Sequence, residues 1–95
     1  MHVLSKKRLR QFWQKHADAK LALLRWHKLV SKAHYRDFSA LRTDFPSADW
    51  VEGLVVFNIG GNKYRMVTDV RFDRALVFVK AVLTHREYDN GAWKK

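Results

Sequence analysis

The chain has 95 residues, 47% hydrophobic and 14% aromatic, which is enough for one domain spanning 1–95 and too apolar for a disordered tail. It carries 19 Lys and Arg against 9 Asp and Glu, a formal charge of +10 that calls for a polyanion: nucleic acid, an anionic membrane or an acidic protein. Cysteine is absent, which excludes disulfides and thiolate zinc sites, and no apolar run approaches the ~20 residues of a membrane span. The first thirteen residues lack the apolar stretch of a secretory signal, so a cytoplasmic protein without membrane partners is expected.

The charge is unevenly placed. Residues 1–36 hold ten Lys and Arg and a single acid, Asp18, a local charge of +9. Residues 37–95 hold nine bases and eight acids and are nearly neutral.

In chain order, Met1–Leu4 reads as a short edge strand. Ser5 is placed to cap a helix over Lys6–His16, where Leu9, Phe12, Trp13 and His16 fall on one face at i, i+3, i+4 and i+7. Asp18 is placed to cap a second helix of roughly residues 19–35 with a broad apolar surface, including Leu23, Trp26 and Val30. The short break between them predicts an antiparallel helical hairpin. Trp13 and Trp26 could stack on bases, but their helical spacing suits the core better. Residues 39–43 suit one helical turn, and residues 44–50 a connecting loop.

From Leu54 the period changes. Leu54–Ile59 is β-branched and aromatic, and Gly60-Gly61-Asn62 supplies a tight hairpin turn. Lys63–Phe72 alternates, with Tyr64, Met66, Val70 and Phe72 on one side and Lys63, Arg65, Asp69 and Arg71 on the other. Asp73-Arg74 makes a turn, and Ala75–Leu83 is a nearly continuous apolar run broken by Lys80, which predicts a central strand covered on both faces. The order β-α-α-β-β-β defines an α+β domain, a helical hairpin on one face of a mostly antiparallel sheet.

Chemistry has two candidate places. Lys63, Arg65 and Lys80 form a small cationic surface if the even-numbered face of the last strand, with Phe78, Val82 and Thr84, is the helix-free one. His85, Tyr88 and Asp89 follow just past the strand end and can fold over its rim. Cations stabilise charge developing on phosphate oxygens, and an imidazole or phenol moves protons to and from a ribose hydroxyl and a leaving oxygen. The second place is the basic hairpin, where Lys6, Lys7 and Arg10 suit a phosphate backbone. No two histidines stand at i and i+4 with a carboxylate to complete a ligand set, so no metal and no cofactor are expected. The glycine turn lacks the spacing of a phosphate loop.

The segment Val56-Phe57-Asn58-Ile59-Gly60-Gly61-Asn62-Lys63-Tyr64-Arg65 and the later Leu83-Thr84-His85-Arg86-Glu87-Tyr88-Asp89 match the patterns V-F-N-I-x-G-N-x-Y-R and L-T-H-x-E-Y-D. With Phe45–Asp49 ahead of them, they resemble the HigB toxin family of bacterial toxin–antitoxin systems. The resemblance implies a RelE-like fold and a ribosome-dependent mRNA endonuclease that works without metal. It also implies a HigA-type antitoxin with a helix-turn-helix domain, through which alone operator DNA would be met. It carries site roles to Arg65, His85, Tyr88 and Asp89, with Lys80 at a commonly basic strand position and Lys63 at a variable one. Arg65 and Lys80 would hold the scissile phosphate, His85 or Tyr88 would be acid or base, and Asp89 would orient one of them. Two other readings stay open: a non-catalytic RNA- or ribosome-binding module, and a ParE-like toxin with a different target.

Overall fold

In a computed structural model, which describes residues 1–94 with the side chain of Ala92 left aside, the chain is an α+β domain. The elements are β1 (His2–Leu4), α1 (Lys6–Lys15), α2 (Lys20–Lys32), α3 (Phe38–Asp44), β2 (Asp49–Val51), β3 (Leu54–Ile59), β4 (Tyr64–Arg71), β5 (Leu76–Thr84) and α4 (His85–Asn90). The five strands lie in the order β1-β5-β4-β3-β2, with β1 parallel to β5 and every other pair antiparallel.

Side-chain alternation sorts the sheet into two faces. Val55, Phe57, Ile59, Tyr64, Met66, Val70, Val77 and Val79 face α1 and α2 and form one core with Leu9, Leu23, Trp26 and Val30. Trp26 and Phe45 meet Phe57 edge-on, with ring centroids 5.4 and 5.0 Å apart. Phe57 is fully buried at this junction. Phe57→Ala is therefore expected to cost about 3–5 kcal/mol, from lost transfer energy and the cavity left behind. Urea denaturation checks this, and a loss below about 1 kcal/mol would show that the junction is not the centre of the core.

Several expectations need correction. Ser5 does not cap α1 through its side chain: its φ of 77° is left-handed, whereas a capping side chain needs an extended backbone. Asp18 does not cap α2 either. It lies in a 3₁₀ turn, Ala17–Ala19, and its carboxylate accepts from the Tyr64 hydroxyl at 2.6 Å and the Lys63 ammonium at 2.9 Å. The Tyr64 bond, then that from Lys63, holds the Asp18 carboxyl below its ordinary range. This tie fastens the α1–α2 connection to the β3–β4 turn. The C-terminal end of α2 is met by the ammonium group of Met1, which donates to the carbonyls of Val30, Ser31 and Ala33.

The single expected turn is the two-turn helix α3, capped by Asp37, whose side chain accepts from the Ala40 N–H at 2.8 Å. The expected loop over 44–50 ends in strand β2. Its hairpin to β3 turns on Glu52 and Gly53, both with positive φ. Strand β5 is interior but second from the edge, while β4 is central. Only Val77 and Val79 of β5 are fully buried: both face the core, whereas Leu76 and Phe78 lie on the opposite face beside Arg71 and Asp69 and stay partly exposed.

Lys80 is displaced from its expected face. Val67 pairs with Ala81 and Thr68 with Val79, so Lys80 is an extra residue in a β-bulge. The bulge reverses the alternation along β5. Phe78 pairs with Asp69 on the face away from α1 and α2, whereas Val82 and Thr84 pair with Met66 and Tyr64 on the helix-covered face. Thr68 beside the bulge is buried, its hydroxyl donating to the Val55 carbonyl at 2.8 Å.

The chain does not simply end beyond the sheet. Thr84 and Glu87 form a reciprocal capping box that starts α4: the Thr84 hydroxyl accepts from the Glu87 N–H, and the Glu87 carboxylate accepts from the Thr84 N–H at 2.9 Å. The helix folds back against β4 and β5. It brings Tyr88 to the face that carries Arg65.

Candidate active site

Arg65 lies mid-row on the face away from α1 and α2, between Asn58 and Leu83. The β3–β4 turn holds its guanidinium. Nη2 donates to Asn62 Oδ1 at 2.7 Å, and Nη1 donates to the carbonyls of Asn62 and Tyr64 at 3.3 and 3.2 Å. Gly60 and Gly61, both at positive φ, turn the chain so that Asn62 comes back toward the strand. A guanidinium has five N–H donors, so three bonds to the turn fix its plane and leave donors to spare.

The Arg65 guanidinium carbon lies 5.7 Å from the centre of the Tyr88 ring. Trp93 stacks on that ring with centroids 5.0 Å apart and planes 14° from parallel, and its indole N–H donates to the Tyr88 carbonyl at 2.9 Å. Burial raises the Tyr88 phenol above its ordinary value of 10.0; the carboxylates of Asp49 and Asp89 add to this and Arg65 opposes it. The phenol is therefore a proton donor at neutral pH. Asp49 reaches this neighbourhood from β2, where it pairs with Val56.

His85 opens α4, its backbone N–H donating to the Lys63 carbonyl at 3.2 Å. Its ring Nδ1 lies 2.8 Å from an oxygen of Asp89, one turn later. A carboxylate on Nδ1 selects the tautomer with the proton there and leaves Nε2 as the free, basic nitrogen.

The expected residues thus divide. Arg65 and Tyr88 meet, and the helix that carries Tyr88 also carries the His85–Asp89 pair. Lys63 lies outside β4 and is engaged by Asp18 instead of standing beside Arg65. Lys80 sits exposed in the bulge. Lys6, Lys7 and Arg10 are exposed on α1. Among the described residues no group of three His, Cys, Asp or Glu side chains is placed to hold a metal ion. No helix among them is long and apolar enough to cross a membrane.

Three participants escaped the sequence. Asn62 read only as a turn residue, although it stands three positions before the arginine it holds. Asp49 read as loop. Trp93 follows Tyr88 by five residues across a break in the helix, a spacing no helical template marks.

The chain is a small α+β domain that holds an arginine beside a phenol on the sheet face away from α1 and α2. A family model described as HigB_toxin, the RelE-like toxic component of a toxin–antitoxin system, matches residues 19–91. The "mRNA interferase toxin HigB" of Escherichia coli (strain K12) is 32% identical over 92 residues, which cover 94% of this chain and 88% of that protein. The "mRNA interferase HigB" of Escherichia coli O6:H1 is 28% identical over 92 residues, covering 94% of this chain and 89% of its own length. The chain belongs to the HigB toxin family.

Proposed function

We propose that this chain is an mRNA interferase, an endoribonuclease that arrests translation by cutting mRNA on the ribosome. A HigA-type helix-turn-helix antitoxin in the same cytoplasm would neutralise it. The observation that carries the reading is the Arg65 guanidinium, fixed by the Asn62 turn and set against the Tyr88 ring. The names of its relatives, which are mRNA interferases, support it.

The chemistry needs only the chain's own groups. Nε2 of His85, its ring oriented by Asp89, takes the proton of the ribose 2′-hydroxyl. That oxygen attacks the adjacent phosphorus, and Arg65 stabilises the negative charge gathering on the phosphate oxygens. The bond from phosphorus to the 5′-oxygen breaks as Tyr88 gives that oxygen a proton. The products are a 2′,3′-cyclic phosphate and a 5′-hydroxyl. Lys80 supplies a further positive charge from the bulge, and the exposed Lys6, Lys7 and Arg10 contact ribosomal RNA. Lys63, its ammonium paired with Asp18, adds no separate charge to the site.

Mapping the 5′ ends of cellular mRNA after brief induction tests the assignment. New ends within coding sequences are expected. Intact mRNA with broken DNA would point to a ParE-like target, and intact mRNA and DNA with RNA-bound protein to a non-catalytic binding module.

A further inference from the structure

Strand β1 pairs only with Leu76–Phe78, so the second half of β5 has no strand on its outer side and α1 packs beside it instead. Between α1, this half of β5 and α4 lies a groove of about 590 Å³, lined by Arg8, Gln11, Lys15, His16, Ala81 and Glu87 among others. Arg8, Gln11 and Lys15 recur at i, i+3 and i+7 and share one side of α1. The two cations, both exposed, stand two turns apart, about 10.5 Å along the helix axis. Lys6 and Arg10 fall on a different side of the helix.

We propose that this groove holds the sugar–phosphate backbone of the single-stranded RNA flanking the bond that is cut, with Arg8 and Lys15 contacting phosphates. The inference rests on the endoribonuclease reading. An endonuclease substrate continues on both sides of the scissile phosphate, so its strand must leave the site across neighbouring surface. Glu87, one residue before Tyr88 on the helix that also carries His85 and Asp89, lines the groove. Its lining suits that strand. Two permanent cations face phosphates, and the amides of Gln11 and Gln14 can bond phosphate oxygens or 2′-hydroxyls. Stacked Phe12 and His16 rings, 4.5 Å apart, contribute an aromatic wall. Glu87 is the one acid in the lining, and one of its oxygens is already committed to the Thr84 N–H. Asp18, the single acid of residues 1–36, is engaged by Tyr64 and Lys63.

The test is equilibrium binding of a short labelled oligouridylate, 2′-O-methylated so that it cannot be cut, to the full chain over a range of salt. Arg8→Gln with Lys15→Gln is expected to weaken binding about tenfold and to flatten the slope of log affinity against log salt by about 1.4, roughly 0.7 per lost phosphate contact. Each single variant should give about half the slope change. Lys28→Gln with Lys32→Gln removes the same charge from exposed positions on α2 and should change the slope by less than half as much. Equal losses from the two pairs, or wild-type binding by the α1 pair, would overturn the proposal. So would an α1 pair that binds RNA normally but loses affinity for the antitoxin, which would make the groove a protein site. Arg65→Ala keeps the two readings separable: continued cleavage by that variant would refute the active-site assignment, while the salt slope of the α1 pair still reports on the groove.

Discussion

Arg65→Ala is expected to lower the rate of mRNA cleavage by about 100–1000-fold, the usual loss when one preorganised charge stabiliser is removed. The side chain lies on the open face, and its bonds go to the adjacent turn and not to the core. The variant should therefore fold, and the loss should appear in the chemical step. Arg65→Lys is informative beside it. Lysine restores the charge but has no planar fork to engage Asn62 Oδ1 and two carbonyls together, so only part of the rate should return. Single-turnover cleavage in a translation mixture measures both variants. An Arg65→Ala protein that cuts at the normal rate would remove the arginine from the reaction.

Tyr88→Phe is expected to lower cleavage by about 100–10,000-fold, the range for loss of a general acid. The substitution keeps the aromatic ring that Arg65 and Trp93 pack against and deletes only the hydroxyl. Thermal stability should hardly change. The pH profile separates the proton donor from a packing residue. Burial and the Asp49 carboxylate raise the phenol above 10.0, so the wild-type rate should keep its acid through neutral pH and fall only above that value. That alkaline limb should be missing in Tyr88→Phe. A near-normal rate with the limb intact would assign the proton to another group.

The parts legible in the sequence were those set by local period. Strand β3 occupies Leu54–Ile59 as the β-branched run indicates, and Tyr64, Met66 and Val70 share the core face as alternation requires. Leu9 faces the core from α1, and Leu23, Trp26 and Val30 do so from α2, which follows from helical spacing. The losses came where a contact between distant segments decides. Asp18 has the local look of a helix cap, but Tyr64 and Lys63, more than forty residues away, claim its carboxylate. Lys80 looked like a residue on a regular strand. A bulge is a mismatch between two strands, so neither strand alone reveals it. Strand β2 has three residues and turns through Glu52 at a left-handed φ, where Asn, Asp or Gly would have signalled a hairpin. The Thr84-x-x-Glu87 spacing within the terminal motif carries the capping box that folds it back over the sheet.

In the proposed mechanism the substrate's own 2′-hydroxyl attacks, and the ends of the cut RNA record which oxygen attacked. Purified protein added to a translation mixture should leave 5′-hydroxyl ends, which polynucleotide kinase can label directly, opposite 2′,3′-cyclic phosphates. Fragments carrying 5′-phosphates and free 3′-hydroxyls would mean that water was the nucleophile, and would contradict the roles given to His85, Arg65 and Tyr88.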